Sequence, residues 1–177
     1  MGADERARAG RELTARLLDL PELRGVDTLA AYVSFGTEPP THDALRALAR
    51  RGVRVLLPVL LPDRDLAWAA YSLEHPPPAD PPRLWTAEPP WLPVEAVADA
   101  QVAVVPAVAV GADGTRLGRG GGSYDRVLAR LGPQPVLTLL YAPEVLPAVP
   151  AEPHDQRVTV AVTPDAVHRF GPRERAR

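Results

Sequence analysis

The chain has 177 residues, 46% of them hydrophobic, enough to bury one core and too many for a disordered segment. Its formal net charge is −2 with all 20 cationic side chains arginine, so there is no overall basic field to hold nucleic acid. With no cysteine, disulfides, thiol chemistry and cysteine-held zinc are excluded; no stretch reads as a secretory leader or membrane span, and the expected compartment is the cytoplasm.

In chain order, Leu13, Leu17, Leu18 and Leu20 among charges predict an amphipathic helix over residues 4–20, stopped by Pro21. A strand is expected over 28–34. Thr41 then caps a helix through residue 51, with Leu45 and Leu48 inward and Gly52 ending it before an apolar strand over 53–57. Residues 68–72 form a further strand, whereas eight prolines among residues 73–93 forbid regular structure there. A brief helix over 94–99, a strand over 101–105, a helix over 123–131 and strands over 136–141 and 158–162 complete the series. Short Val/Leu-rich strands alternating with helices imply an α/β fold: a three-layer sandwich with a mainly parallel central sheet and helices on both faces, built as one domain over residues 1–177.

Residues 116–126 read Arg-Leu-Gly-Arg-Gly-Gly-Gly-Ser-Tyr-Asp-Arg, with four glycines in five positions running into a polar helix start. Glycine bares the main chain and takes positive φ, and the first N–H groups of the following helix have no intrahelical partner. An anion, phosphate above all, is the natural guest of such a segment. Arg116, Arg119 and Arg126 bracket the glycines with charge that a plain turn does not need, although a flexible surface turn is the other reading glycine allows. The segment is not a P-loop, since the chain has no lysine. Nor is it a dinucleotide fingerprint, since Ser123 stands where the last glycine would fall. Its place after the strand 101–105 agrees with ligand binding at the carboxyl ends of parallel strands.

These residues resemble the signature of the 5-formyltetrahydrofolate cyclo-ligase (methenyltetrahydrofolate synthetase) family: Arg-Leu-Gly, an aromatic residue or arginine, then Gly-Gly-Gly-x-Tyr-Asp-Arg. Upstream, Ala31-Tyr32-Val33-Ser34-Phe35-Gly36-Thr37-Glu38 is similar to the family's strand and folate-side glutamate, and Val53-Arg54-Val55-Leu56-Leu57-Pro58 to its second strand. Downstream, Glu152-Pro153-His154-Asp155 and the apolar run after it resemble the closing acidic motif and last strand. The order is kept from Leu29 to Thr163.

The resemblance implies ATP- and Mg²⁺-dependent conversion of 5-formyltetrahydrofolate to 5,10-methenyltetrahydrofolate, with release of ADP and phosphate. ATP would be bound by Arg116, Gly118, Arg119, Gly120, Gly121, Gly122, Ser123 and Tyr124. Folate would meet Phe35, Glu38, Arg119, Gly120, Gly121, Gly122 and Ser123, with Arg119 and Tyr124 catalytic and Mg²⁺ held by Asp125 and Asp155. Read alone, Asp125 is a favourable charge in a first helical turn, Asp155 a polar loop residue and Tyr32 or Tyr124 core packing. The family's basic, phosphate-contacting first helix has no counterpart here, leaving Arg6, Arg8 or Arg11 as substitutes. A non-catalytic or N-terminally truncated folate- or nucleotide-binding relative is therefore the alternative expectation. The partners expected are these small molecules, with no nucleic acid or membrane, and a monomer is favoured.

Overall fold

The structure, a computed structural model, describes residues 2–78, 87–152 and 156–171. Its main sheet has seven strands: β1 (Thr28–Ala30), β2 (Arg54–Leu60), β3 (Leu66–Ala70), β4 (Val102–Val105), β7 (Val136–Leu139), β9 (Val160–Val162) and β10 (Val167–Arg169). Their order is β10-β9-β7-β4-β1-β2-β3, parallel except at the two edges, where β10 and β3 run antiparallel. Helices α1 (Ala3–Asp19) and α2 (His42–Arg50) cover one face; α3 (Ser123–Leu131) and a 3₁₀ helix, Val94–Asp99, cover the other.

The period of two along the strands makes this layering possible. Val102 and Val104 of β4 bury themselves with Leu13 and Leu17 of α1 and Leu45 and Leu48 of α2. Ala103 and Val105, one residue out of phase, pack with Val127, Leu128 and Leu131 of α3. The chain leaves β1 through α2 toward one edge of the sheet and leaves β4 through α3 toward the other. Between β1 and β4 the direction of winding reverses, which opens a crevice at their carboxyl ends.

The expected elements are present, with shifted ends. β1 stops at Ala30, one residue before its last bond to β2, Ala31 N–H to the Leu56 carbonyl, while β2 extends to Leu60 through Pro58. Proline is tolerated there because the flanking bonds to the β3 side are made by Val55 and Leu61, so the nitrogen of Pro58 faces the side where β1 has already ended. β3 lies two residues earlier than the reading of 68–72. Thr41 sits at the N-cap position but makes no side-chain cap; the expectation fails because its hydroxyl is engaged with Ser34 instead. The brief helix is 3₁₀ rather than α.

A small second sheet was not foreseen. It joins β5 (Ala109–Gly111), β6 (Arg116–Leu117) and β8 (Val145–Leu146) in the order β6-β5-β8. Strands of two or three residues carry almost no periodic signal, but Asp113-Gly114 is a hairpin turn signal: Gly114 has φ +84° and Asp113 Oδ1 accepts the Thr115 N–H at 3.0 Å. Among the described residues no helix is long and apolar enough to cross a membrane.

Candidate active site

The crevice at the carboxyl ends of β1, β2 and β4 is a cleft of about 620 Å³. One wall is apolar, formed by Leu60 at the end of β2 and Leu61 and Pro62 after it, with Pro106 and Val108 after β4. The facing wall is the glycine loop and the start of α3. Phe35 and Glu38 stand at the side, and Tyr32 and Tyr124 also line the cleft.

The glycine loop hangs between the β5–β6 hairpin and α3, so both its ends are fixed. Gly120 and Gly122 take φ +77° and +69°, values that a β-carbon would strain. Gly118 is required for a different reason: a β-carbon there would lie 2.7 Å from Nη1 of Arg116. The amides of Gly120, Gly121, Gly122, Ser123 and Tyr124 make no hydrogen bond to any described residue, and Gly122 provides no side-chain cap. A row of donors with no partner among the described residues thus ends at the positive end of a helix dipole.

The three arginines around the loop separate in function. Arg116 is buried; Nη2 donates to Oδ1 of Asp125 at 2.8 Å and Nη1 to the Pro106 carbonyl at 3.2 Å, tying the loop to α3 from beneath. Arg119 crosses the cleft, with Nη2 3.0 Å from Oε1 of Glu38 and its guanidinium carbon 4.7 Å from the centre of the Phe35 ring. Arg126 turns away from the glycines toward the Asp63 carbonyl and the Asp65 carboxylate, so its expected share in bracketing an anion is not what this structure supports. Competition for a carboxylate 61 positions upstream decides it.

Glu38 is held for a purpose beyond exposure to solvent. Its side chain is 9% exposed, and Oε2 accepts the Phe35 N–H at 3.1 Å while Oε1 meets Arg119. Burial pushes its carboxyl above the usual carboxylate range, opposed by the Phe35 N–H and by Arg119. The loop that carries it is stapled at both ends: Ser34 N–H donates to Thr41 Oγ1 at 3.0 Å and Thr41 N–H to Ser34 Oγ at 3.1 Å. Arg6 of α1 donates to the Gly36 carbonyl at 2.6 Å and the Tyr141 hydroxyl to the Glu38 carbonyl at 3.5 Å. Of the other N-terminal cations suggested by the sequence, Arg8 lies 4.0 Å from Glu12 on the exposed face of α1.

Ser123 uses its hydroxyl on the Arg64 carbonyl, 2.6 Å away, leaving its amide free for a ligand. This contact and the bidentate Arg130–Asp65 pair, at 2.8 and 2.6 Å, clamp the β2–β3 turn against α3. Sequence reasoning missed that turn and with it the apolar wall; Pro62-Asp63 between two apolar runs was the available signal. Tyr124 packs into both faces of the core while lining the cleft, and burial pushes its phenol well up, with the Glu38 charge adding to this and Arg116 opposing it.

Asp125 was expected to hold a metal. It lines the cleft at the foot of the loop; Oδ1 is taken by Arg116, and Oδ2 has no partner among the described residues, so one hard oxygen ligand is available. Asp155, its expected companion, lies outside the described residues, as does His154. Among the described residues no group of three or more acidic or histidine side chains could form a metal cage by itself. A cation taking most of its ligands from phosphates and water fits this donor set.

A model of the 5-formyltetrahydrofolate cyclo-ligase family matches residues 1–164. The chain is 40% identical over 153 residues to a 5-formyltetrahydrofolate cyclo-ligase of Mycolicibacterium smegmatis, covering 77% of this chain and 73% of the relative. It is 30% identical over 171 residues to the Escherichia coli K12 protein of the same name, covering 93% and 92%. The fold is similar to the NMR structure of Aquifex aeolicus 5,10-methenyltetrahydrofolate synthetase, with a TM-score of 0.76 at 23% identity over 96% of this chain and 85% of that one. A Mycoplasma pneumoniae 5,10-methenyltetrahydrofolate synthetase is similar too, with a TM-score of 0.71 at 18% identity over 93% and 90%.

Proposed function

Because the chain belongs to the 5-formyltetrahydrofolate cyclo-ligase family, we propose that the cleft between β1 and β4 is where its two substrates react. The activity is that of a 5-formyltetrahydrofolate cyclo-ligase: ATP drives closure of 5-formyltetrahydrofolate to 5,10-methenyltetrahydrofolate, leaving ADP and phosphate. The observation that carries the assignment of the site is the row of unpaired amides from Gly120 to Tyr124 facing the same cleft as Glu38.

On this reading the ATP phosphates lie on the amides of Gly120, Gly121, Gly122, Ser123 and Tyr124, and the folate ring lies against Phe35 and the apolar wall with Glu38 accepting its N–H groups. The formyl oxygen attacks the terminal phosphorus; a new O–P bond forms as the bond to ADP breaks. The neighbouring folate amine then adds to the activated carbon and gives up its proton to solvent or the departing phosphate, which leaves with the former formyl oxygen. Such a transfer needs positioning and charge neutralisation more than covalent help, which suits a site of glycines, arginines and carboxylates. Arg119 stands between the Glu38 side and the loop and so is placed to neutralise charge as it passes from ATP to the formyl group. Arg116 acts from below, holding the loop to Asp125. Tyr124 fixes the first turn of α3 while offering its hydroxyl to the cleft. Asp125, with Asp155, would hold Mg²⁺, which when bound would neutralise phosphate charge.

The test is the appearance of methenyltetrahydrofolate absorbance on mixing the protein with 5-formyltetrahydrofolate, ATP and Mg²⁺. Substitution of the loop should then act on ATP: Gly122→Val, which strains the backbone and covers the amides, should abolish turnover. Full turnover in that variant would remove the loop from the site.

A further inference from the structure

The floor of the cleft holds a polar group that neither the glycine loop nor the Glu38–Arg119 pair uses. Tyr32, two residues beyond β1, lines the cleft and is 2% exposed, and its hydroxyl makes no hydrogen bond to any described residue. A buried phenol ordinarily finds a partner, because an unmet donor forfeits its hydration.

The ring is well fixed. Ala31 N–H still donates to the Leu56 carbonyl at 2.8 Å immediately before it, and two residues later Ser34 is stapled to Thr41. Its body packs in the α1–α2 side of the core with Leu29 and Val104. Burial first, and then the Glu38 carboxylate, pushes its phenol well above the usual value, which keeps the proton on the oxygen. The Glu38 charge beside this donor disfavours an anionic guest such as a triphosphate, so an uncharged acceptor suits it better.

We propose that the Tyr32 hydroxyl donates a hydrogen bond to a neutral acceptor of the folate, a carbonyl oxygen or ring nitrogen, and thereby sets affinity for that substrate and not for ATP. This rests on the reading that the folate lies on the Glu38 side of the cleft. Tyr32→Phe removes the oxygen and nothing else. Calorimetric titration with 5-formyltetrahydrofolate, with and without a non-hydrolysable ATP analogue and Mg²⁺, should show affinity weakened about three- to tenfold, the loss of one neutral hydrogen bond. Affinity for the ATP analogue should be unchanged. The thermal midpoint should not fall, because the hydroxyl has no partner among the described residues to lose. Equal folate affinity in both proteins would overturn the proposal, as would a lowered midpoint with folate affinity intact, which marks a structural hydroxyl. Failure of the unsubstituted protein to bind 5-formyltetrahydrofolate would overturn the substrate reading itself, and the role of Tyr32 with it.

Discussion

Arg119 shows how one side chain can serve two walls of a cleft. It starts from a loop that needs glycine on both sides and ends on Glu38, 81 residues away in sequence, with Phe35 beneath its guanidinium plane. Its exposure of 48% keeps the pair weak as a contribution to stability, so its value lies in the chemistry of the cleft. Arg119→Ala should therefore lower kcat/KM by at least about tenfold, as expected when a charge-assisted contact of ~1.5–3 kcal/mol is lost, while the urea midpoint stays nearly constant. An unchanged kcat/KM in the folded variant would assign Arg119 to solvent. The same substitution removes one of the two groups that hold the Glu38 carboxyl down, so Glu38 should protonate at a higher pH in the variant than in the unsubstituted protein.

At the scale of elements, the glycine loop is held by what lies below and beside it. Gly118 makes room for the buried Arg116, whose guanidinium cannot swing away without breaking its bonds to Asp125 and Pro106. Gly118→Ala should cost about 1–3 kcal/mol in urea unfolding, as overpacking does. Gly121 has only Ser123 Oγ, 3.9 Å away, to meet a β-carbon, so Gly121→Ala should leave stability alone and raise KM for ATP by setting a methyl against the amide row. If both variants unfold alike, the division of labour within the loop is wrong. Beside the loop, Asp65 fastens the β2–β3 turn to α3 through Arg130, and that hydrogen-bonded arginine holds its carboxyl below the usual range. Asp65 therefore adds stability above the unfolded-state pKa of an aspartate and loses it as pH falls through the depressed folded value. Asp65→Asn should destabilise the protein by ~1–3 kcal/mol near pH 7, with the difference shrinking in acid; a constant difference across pH would deny the ion pair its role.

For the molecule as a whole, the reversal of winding between β1 and β4 brings two unlike surfaces into one crevice. One is apolar and carries Glu38 at its edge; the other is a row of bare amides. That pairing suits a reaction between a flat heterocycle and a triphosphate, and it explains why little of the chemistry is entrusted to a nucleophile. The proposed Mg²⁺ dependence follows from charge: the amides and helix dipole supply only partial positive charge, and Arg116 and Arg126 are spent on Asp125 and Asp65. Turnover should stop on chelation with EDTA and return with added Mg²⁺. Ring closure at an equal rate after chelation would leave Asp125 as a structural partner of Arg116 alone.

What was legible in the sequence is what nearby residues settle among themselves. The start of α3 at Ser123, the glycine loop before it and the two-faced strands Val102–Val105 and Val136–Leu139 all follow from glycine's tolerance of positive φ and from the periods of two and 3.6. The resemblance to a folate enzyme likewise rested on local stretches: residues 31–38, 53–58, 116–126 and 152–163. What only the tertiary structure decided is which charges meet. Arg116, Arg119 and Arg126 look alike in the sequence, yet one is buried on Asp125, one reaches over Phe35 to Glu38 and one leaves for the β2–β3 turn. Thr41 likewise had the chemistry of a helix cap but found Ser34 closer. Ion pairs and hydrogen bonds form between whichever partners the packed sheet brings within reach, and those distances are set by the order of strands, which no local pattern contains.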